Sequence, residues 1–462
     1  MSASSLNALE KRTAVSLACV FAFRMLGLFM LMPVLAIYGT ELEGFSPLWI
    51  GIAIGAYGLT QALLQIPMGW LSDKFGRKRV IVAGLIMFAI GSVIAAMAES
   101  IYTVTLGRAL QGMGAIAAAV LALAADLSRD EQRPKVMAVI GMCIGLSFAA
   151  AMLLGPMIAA SFGVSGIFWL TACLAVLGIF IVLTVVPTAV NRAPKGDTSA
   201  SLNDIKNLVK HQQLVRLNLG VMLLHLTLTA VFVALPAELI KDGLAAEMHW
   251  KLYIPVLLLA FIFMVPMMII AIKKQKEKMA FLVSIALIVA SLMSLSLFGS
   301  SALIIGVCML IYFIAFNFLE ATMPALVARI SPAGQKGSAM GAFSSTQFLG
   351  AFLGGIIGGY FAQVSDAQTV FAAATLVGVI WFAIAWGMEV PPKSKLISLL
   401  TELQGEKENF DPEKAAEKLA NDLADLPGVL ETTVVLEENR TYLKVKESEF
   451  DLQQAKAVAG IV

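Results

Sequence analysis

The sequence predicts an all-α membrane protein with twelve transmembrane helices in two six-helix halves, followed by a small α+β domain. Of the 462 residues, 59% are hydrophobic and 14% are charged, whereas about 25% of residues are charged in an average soluble domain. Twelve segments are apolar and long enough to cross a hydrocarbon core about 30 Å thick. Their apolar runs do not alternate with polar residues, which indicates helices rather than barrel strands.

The predicted spans lie in chain order between the first cytoplasmic stretch and the charged C-terminal part. They cover residues 13–38, 48–71, 80–98, 102–125, 136–160, 165–186, 214–237, 251–272, 279–298, 302–328, 338–362 and 368–388. The first is too long for a signal-peptide core, so we interpret it as a retained helix. Glycines at small-xxx-small spacing, such as Gly350 and Gly354, predict close contacts between helix backbones.

Lys and Arg residues predict the orientation of the chain in the membrane. They concentrate in the N-terminal stretch and in the loops after even-numbered spans, whereas the other loops hold only Lys241 and Lys251. Because cytoplasmic loops carry an excess of these residues, we expect a multi-pass inner-membrane protein with both termini in the cytoplasm. The net charge of +2 points to no nucleic-acid partner.

The chain divides into four parts. A polar linker separates the halves, and three short patterns recur in both at an offset near 200, for example Ile66-Pro67-Met68 and Val265-Pro266-Met267. Duplicated halves of this kind place a substrate site between them. The predicted parts are an N-terminal half (1–190), a linker (191–213), a C-terminal half (214–390) and a cytoplasmic ferredoxin-like domain (391–462).

The C-terminal domain differs in composition from the rest. Pro391-Pro392 ends the last span, because proline cannot continue a helix. The pattern that follows has the order β-α-β-β-α, which suggests a ferredoxin-like fold. Residues 389–462 carry nine Lys and Arg against fifteen Asp and Glu, whereas residues 1–388 carry 24 against 16. We therefore expect the acidic domain to dock on the basic cytoplasmic face, and we favour a structural or regulatory role over ligand sensing.

No catalytic, metal or cofactor pattern is visible. The four cysteines lie inside apolar runs without paired spacing, so we expect neither disulfides nor a thiolate metal site. Ser-His-Asp and Cys-His arrangements are missing, and so is the Gly-x-x-x-x-Gly-Lys-Ser/Thr loop of ABC-type pumps. An enzyme is therefore the least favoured class.

Three motifs carry a resemblance to a known family. Residues 69–79 read GWLSDKFGRKR, which resembles the cytoplasmic signature (motif A) of the major facilitator superfamily. The similarity covers residues 1–390. Arg108-x-x-Gln111-Gly112 resembles motif B, and Gly155-Pro156 resembles the helix-bend motif C of proton-driven exporters, with alanines in place of a glycine pair. The acidic tail resembles the YajR branch of that superfamily in particular.

Motif A predicts a conformational latch. Asp73 ends the second helix, where the helix dipole disfavours an anion, so we expect a partner elsewhere. The free N–H groups at the start of the eleventh helix can bind a carboxylate. The resemblance implies that the end of the second helix and the start of the eleventh meet in one of the two conformational states of the transporter. The predicted latch residues are Gly69, Asp73, Gly76, Arg77, Asp126 and Arg133. The alternative is that the basic run only sets topology. Ile272 replaces Asp73 in the second half, so one half carries the latch.

Four ionisable residues lie at membrane depth: Arg24, Arg108, His225 and Glu320. Each costs about 2.5–3.5 kcal/mol to insert, so each is a functional candidate. The resemblance implies that spans 1, 4, 7 and 10 line a central cavity where the four face one another. We expect Glu320 to carry the proton, Arg24 to be its mobile counter-ion, and Asn317 to hydrogen-bond the neutral acid.

Each of these residues also has an alternative, purely structural interpretation. Arg24 and Glu320 could form a static clamp, Arg108 could pair helices, and we favour His225 as a polar cavity residue over a proton carrier. Gln61, Gln65, Gln111 and Gln347 are expected to join helices or line the cavity rather than to bind a specific ligand.

The predicted function is proton-coupled secondary transport by alternating access, most simply export of small amphipathic compounds by antiport. A symporter of a small anion bound by Arg24 and Arg108 is one alternative, and a transporter-derived sensor with the C-terminal domain as its output is another. The expected partners are protons, an unidentified small molecule and the lipid bilayer.

Overall fold

The computed structural model describes residues 6–129, 132–188, 206–208, 210–299, 301–332, 335–389, 395–401, 412–436, 439–446 and 449–459. The N-terminal half contains α1 (Ala8–Met30), α2 (Leu35–Tyr38), α3 (Pro47–Phe75), α4 (Arg77–Ala96), α5 (Ile101–Met113), α6 (Ala117–Asp126) and α7 (Arg133–Thr184). The C-terminal half contains α8 (Gln212–Lys241), α9 (Trp250–Lys273), α10 (Glu277–Phe298), α11 (Ala302–Ile330), α12 (Lys336–Val364) and α13 (Ala367–Trp386). Most of the predicted linker lies outside the described residues.

Helix α7 contains two of the spans. Within the described residues, 11 continuous helical segments are long and apolar enough to cross a membrane, and α7 is one of them with 52 residues. Gly163 interrupts it with φ 64° and ψ −169°, a left-handed backbone conformation that glycine adopts without a steric penalty. The helix therefore divides into 133–162 and 164–184, and the prediction of twelve spans is confirmed.

The fourth span is also interrupted. It consists of α5 and α6, which are separated at Gly114. A Cβ atom on Gly114 would lie 2.3 Å from the carbonyl oxygen of Gly84 in α4, so only glycine permits this close approach. Side-chain caps begin other helices: Asn7, Ser46, Ser100 and Asp366 each accept a hydrogen bond from a backbone N–H of the first turn.

The two halves contact each other at one membrane face. We call the face where α1 begins and α13 ends the terminal face, and the other the opposite face. Near the opposite face, the Leu48 N–H donates to Gln363 Oε1 at 3.3 Å, and Gly51 lies directly against Gly355. Close to the terminal face, a Cβ on Gly69 would contact only Ala118 of its own half, at 3.3 Å. Among the described residues, the contact between α3 and α12 extends from the opposite face as far as Tyr57 and Gly58, which lie against Phe348.

The C-terminal domain contains β1 (Lys395–Leu400), α14 (Pro412–Ala424), β2 (Val429–Val435), β3 (Arg440–Val445) and α15 (Leu452–Val458). These elements follow the predicted order. The strands form an antiparallel sheet of order β1-β3-β2. Its core joins Leu419 and Leu423 of α14 to Leu443 of β3 and Ala455 of α15. The ferredoxin-like assignment itself stays a prediction.

Candidate functional site

A cluster of polar side chains lies inside the C-terminal half, and we call it the Glu320 cluster. It consists of His225 (α8), Glu320 (α11) and Gln347 (α12). Gln347 Nε2 donates to Glu320 Oε1 at 3.0 Å and lies 2.9 Å from His225 Nε2. His225 Nδ1 lies 3.2 Å from the Val221 carbonyl oxygen. Because that carbonyl only accepts, the network assigns the imidazole proton to Nδ1 and leaves Nε2 as the acceptor for Gln347.

The Glu320 side chain is partly exposed although it lies within a membrane span, but its Oε2 atom is buried and has no hydrogen-bond partner among the described residues. Its side chain is 38% exposed, whereas that of His225 is 15% exposed. Its second oxygen, Oε2, lies 3.7 Å from His225 Nε2, which is too long for a hydrogen bond. A carboxylate at this depth faces the interior of the bundle and marks an ion or substrate path.

Aromatic rings from both halves adjoin the Glu320 cluster. Phe316, one turn before Glu320, lies 5.7 Å from the His225 ring. Phe313 contacts Phe148 of the N-terminal half at 5.9 Å, and Phe148 contacts Phe29 at 5.0 Å. We call Phe29, Phe148, Phe313 and Phe316 the aromatic seal. It covers the Glu320 cluster on the side of the opposite face with an apolar surface.

A second polar cluster, the arginine cluster, lies in the N-terminal half. It consists of Arg24, Tyr57, Gln61 and Arg108. Arg24 donates to Gln61 Oε1. Its guanidinium carbon lies 5.6 Å from the centre of the Tyr57 ring, and that of Arg108 lies 4.9 Å from the same centre. Arg108 also donates to Gln111 Oε1 at 2.9 Å. Arg24 and Arg108 are only 2% and 1% exposed.

The structure does not bring the four predicted membrane-depth residues together. His225 and Glu320 meet, but Arg24 is directed towards α3, where Gln61 accepts its hydrogen bond and Tyr57 offers a ring face. Among the described residues, no ion pair joins Arg24 to Glu320, so the predicted counter-ion contact is not formed in this state. Asn317 lies one helical turn before Glu320 and forms no hydrogen bond with it among the described residues.

Gln347 is the residue that sequence reasoning missed. The sequence predicts it as an amide that joins helices or lines the cavity, not as a specific binder, but the structure places it between the two titratable side chains. An amide inside an apolar span is a visible signal. The direction in which it points depends on the rotation of α12, which the sequence does not show.

The latch residues of the N-terminal half form a charge network. Arg77 forms an ion pair with Asp73, its Nε lies 3.2 Å from Asp126 Oδ2, and its Nη1 donates to Ser72 Oγ at 2.8 Å. Gly76 separates α3 from α4 with φ 99°, which favours glycine. The contact between Asp73 and the start of α12 stays a prediction.

The other predicted site residues lie at contacts between helices, at a helix end or inside a helix. Gly69 packs against Ala118, and Arg133 begins α7. A Cβ on Gly155 would lie 2.7 Å from the Met30 carbonyl oxygen, so this glycine allows α1 and α7 to approach. Pro156 lies inside α7, and the non-helical residue of that helix is Gly163. Among the described residues, no three His, Cys, Asp or Glu side chains are grouped to hold a metal ion.

Comparison with known proteins identifies the family. A family model described as Major Facilitator Superfamily matches residues 17–354 and 217–435. The chain is 42% identical over 453 residues to the inner membrane transport protein YajR of Escherichia coli (strain K12), with 96% of this chain and 97% of that protein covered. It is 36% identical over 353 residues to an uncharacterized transporter of Buchnera aphidicola, with 76% and 90% covered.

A solved structure shows the same fold. A bacterial homologue of the human lysosomal transporter Spinster, in an inward-facing and unoccupied conformation, has a TM-score of 0.64 at 14% identity, with 83% of this chain and 97% of that chain covered. The relatives are transporters and the spans are apolar, so the protein is a multi-pass membrane transporter. The resemblance noted in the sequence is confirmed, and the chain belongs to the Major Facilitator Superfamily.

Proposed function

We propose that the protein is a proton-coupled exporter of small amphipathic compounds that works by alternating access. The observation that carries the proposal is the Glu320 cluster. A carboxylate and an imidazole share one amide donor inside a membrane span, and the Glu320 side chain is 38% exposed. Both groups bind protons, and the shared amide links their protonation to the positions of α8, α11 and α12.

Protonation of His225 changes the hydrogen bonds of the cluster. In the neutral ring, Nε2 accepts from Gln347. A proton on Nε2 converts this acceptor into a donor, so the Gln347 amide has to turn, or the ring has to move towards Glu320 Oε2. Protonation of Glu320 removes the negative charge that attracts the imidazolium. Each proton therefore favours a different arrangement of the three helices.

The surroundings favour cationic amphipathic substrates. Phe316 packs against His225 and is buried in this state; once exposed, it would supply an apolar surface for an aromatic cation whose charge replaces that of the proton beside Glu320. Competition of this kind produces antiport. The anion-symport alternative needs Arg24 and Arg108 at the substrate, but both are buried within the N-terminal half. Antiport therefore uses Glu320, whose side chain is more exposed than either arginine.

The orientation follows from the basic loops. If the terminal face is cytoplasmic, as the Lys and Arg distribution predicts, the seal at the opposite face makes this an inward-facing state of an inner-membrane protein. Both termini are then cytoplasmic. Protons enter from the outside when the halves rock about the Glu320 cluster, and substrate leaves.

We also propose that the C-terminal domain docks on the terminal face. Lys444 Nζ of β3 donates to the Ser331 carbonyl oxygen, just after α11, at 3.2 Å. Burial lowers the pKa of Lys444, and the nearby Glu431 opposes part of this shift. The Lys444 side chain is only 14% exposed, which supports a contact between the C-terminal domain and the terminal face. Its position, on the loop that leads into α12, allows the domain to restrain that helix.

Transport into liposomes tests the proton proposal. Purified protein is reconstituted with a pH-sensitive dye inside and is challenged with tetraphenylphosphonium, ethidium or benzoate under proton gradients of either sign. We expect the two cations, but not benzoate, to exchange for protons. Glu320→Gln should remove the pH dependence of transport, because the amide binds no proton.

Glu41→Gln is the matched control, since Glu41 is an exposed carboxylate near the opposite face. It should transport as the unchanged protein does. Transport by Glu320→Gln at the original rate and with the original pH dependence would contradict the role of Glu320. Coupled uptake of benzoate with protons would favour the symporter instead.

A further inference from the structure

An open groove runs between α10 and α13 at the terminal face, and we call it the α10–α13 groove. Its volume is about 560 Å³. Met279, Val283 and Ala286 line it from α10, and Phe382 and Trp386 line it from α13. Helix α10 packs against α9, α11 and α13, and α13 packs against α8, α10 and α12, all of them helices of the C-terminal half. The outer sides of α10 and α13, and with them the groove, therefore face the lipid.

The packing of the two helices limits the length of the groove. Their inner sides meet through the buried rings of Phe281 and Trp381, whose centroids lie 6.5 Å apart. Deeper in the membrane, a Cβ on Gly378 would lie 2.8 Å from Val289 Cγ2, so the helices are in close contact there. The small side chain of Ala286 leaves the space open between this contact and the terminal face. The groove thus follows about two turns of α10, or about 12 Å.

The end of the groove at the terminal face carries two lysines, Lys276 and Lys278. The loop between α9 and α10 fixes their positions. Gln275 has φ 54°, and the Lys276 N–H donates to the Ala271 carbonyl oxygen at 2.9 Å. This is the hydrogen bond of a Schellman turn at a helix C-terminus. The turn is tight, so the two lysines stay at the mouth of the groove.

The charge of these lysines is not neutralised by the nearby carboxylate. Glu277 lies between them in sequence, but it pairs with Arg329 of α11 at 2.7 Å. Within the part of the chain that the structure describes, neither Lys276 nor Lys278 forms an ion pair. At the end of α13, the Trp386 side chain is 64% exposed, and tryptophan in such a position lies at the level of the lipid head groups. The groove therefore combines cations at the membrane surface with an apolar wall below them.

We propose that the α10–α13 groove binds one anionic phospholipid from the leaflet at the terminal face. The phosphate lies between Lys276 and Lys278, and one acyl chain lies along Val283 and Phe382. Basic pockets between membrane helices bind anionic head groups in this way. The bound lipid joins the ends of α10 and α13. It occupies the outer surface of the C-terminal half and is separate from the proton and the substrate at the Glu320 cluster.

Native mass spectrometry of the purified, delipidated full-length protein tests the site. Phosphatidylglycerol, phosphatidylcholine with the same acyl chains, and glycerol 3-phosphate are titrated separately. We expect the first phosphatidylglycerol to bind at least about tenfold more tightly than phosphatidylcholine, because only the former has a net negative charge for the two lysines. Glycerol 3-phosphate should bind far more weakly, because it has no acyl chain to bury. Equal affinity for the two lipids, or equal affinity for phosphatidylglycerol and glycerol 3-phosphate, would overturn the proposal.

Charge substitutions locate the head group. Lys276→Gln and Lys278→Gln should each weaken binding of the first phosphatidylglycerol about fivefold, and the double substitution about thirtyfold. Lys274→Gln is the matched control, since Lys274 is an exposed lysine of the same loop that does not line the groove. It should leave the affinity unchanged. A loss in Lys274→Gln as large as that in Lys276→Gln would mean that the basic loop attracts lipid without a site, and would refute the proposal.

A substitution that fills the groove locates the acyl chain. Ala286→Phe displaces at least two methylene groups of the chain, so phosphatidylglycerol should bind about tenfold more weakly or less. Ala290→Phe makes the same change at an exposed position one turn further along α10, outside the groove, and should bind the lipid normally. Glu320→Gln should also bind it normally, whatever its effect on transport. An unchanged affinity in Ala286→Phe would contradict a chain in the groove.

Discussion

Gly51→Ala should shift the transporter away from the state sealed at the opposite face. A Cβ on Gly51 would lie 1.9 Å from the Gly355 carbonyl oxygen, 2.8 Å from its carbonyl carbon and 3.1 Å from Gly359 Cα. All three atoms are backbone atoms of α12, so no flexible side chain is available to move aside. The methyl group is accommodated only if α3 and α12 separate.

The geometry gives the size of the effect. Ordinary contact begins near 3.4 Å, so the two helices have to separate locally by about 1.5 Å. Overpacking of this kind costs about 1–3 kcal/mol. Because the clash exists only where the two halves touch, the ratio of sealed to open states should fall about 5- to 150-fold. Alanine also has the better helix propensity, but this gain is the same in both states and cancels.

Spin labels at exposed positions 41 and 245 report the separation of the halves at the opposite face. We expect Gly51→Ala to enrich the longer distance. Gly145→Ala is the neutral control, because a Cβ there meets nothing within 4 Å. Gly354→Ala is the folding control, since its Cβ would lie 2.2 Å from the Leu226 carbonyl oxygen of the same half. A distance distribution of Gly51→Ala that matches Gly145→Ala would refute the reasoning.

Two further predictions concern the terminal face. Arg77→Gln removes a cation from Asp126, whose side chain is 1% exposed, and breaking a buried pair costs about 3–5 kcal/mol. The thermal unfolding midpoint of this variant should therefore fall well below that of Arg79→Gln, in which an exposed arginine is replaced as a control. Equal midpoints of the two variants would count against the charge network. Lys444→Ala removes the hydrogen bond to Ser331 and should speed protease cleavage between residues 389 and 401. High salt should have the same effect on the unchanged protein, because it screens the attraction between the domain and the basic face. An unchanged cleavage rate would contradict docking.

The spans could be predicted because hydrophobic length alone identifies them. The sequence places spans at 214–237 and 302–328, and the helices run from Gln212 to Lys241 and from Ala302 to Ile330. The helices are longer at their ends because the backbone remains hydrogen-bonded beyond the apolar core of the membrane. Hydropathy shows where the chain is apolar and does not show where the helix stops.

The site was only partly predictable, because helix rotation decides which side chains meet. Arg24 and Glu320 both lie at membrane depth, but the rotation of α1 about its own axis directs Arg24 towards Tyr57 and not towards Glu320. The identity of a residue and its depth follow from the sequence. Its direction depends on the packing of all neighbouring helices, including glycines such as Gly51 that allow α3 to touch α12.

The internal repeat agrees with the prediction that only one half carries the latch. Glu277 begins α10 and pairs at 2.7 Å with Arg329 near the end of α11, and both charges agree with their helix dipoles. Arg77 begins α4 and pairs with Asp126 at the end of α6, so both charges oppose their dipoles. The N-terminal pair therefore depends on its own Coulomb attraction and on the second carboxylate, Asp73. Because Arg77 keeps Asp126 if its pair with Asp73 breaks, the network would persist when Asp73 binds a helix N-terminus in the other state, as the latch hypothesis requires.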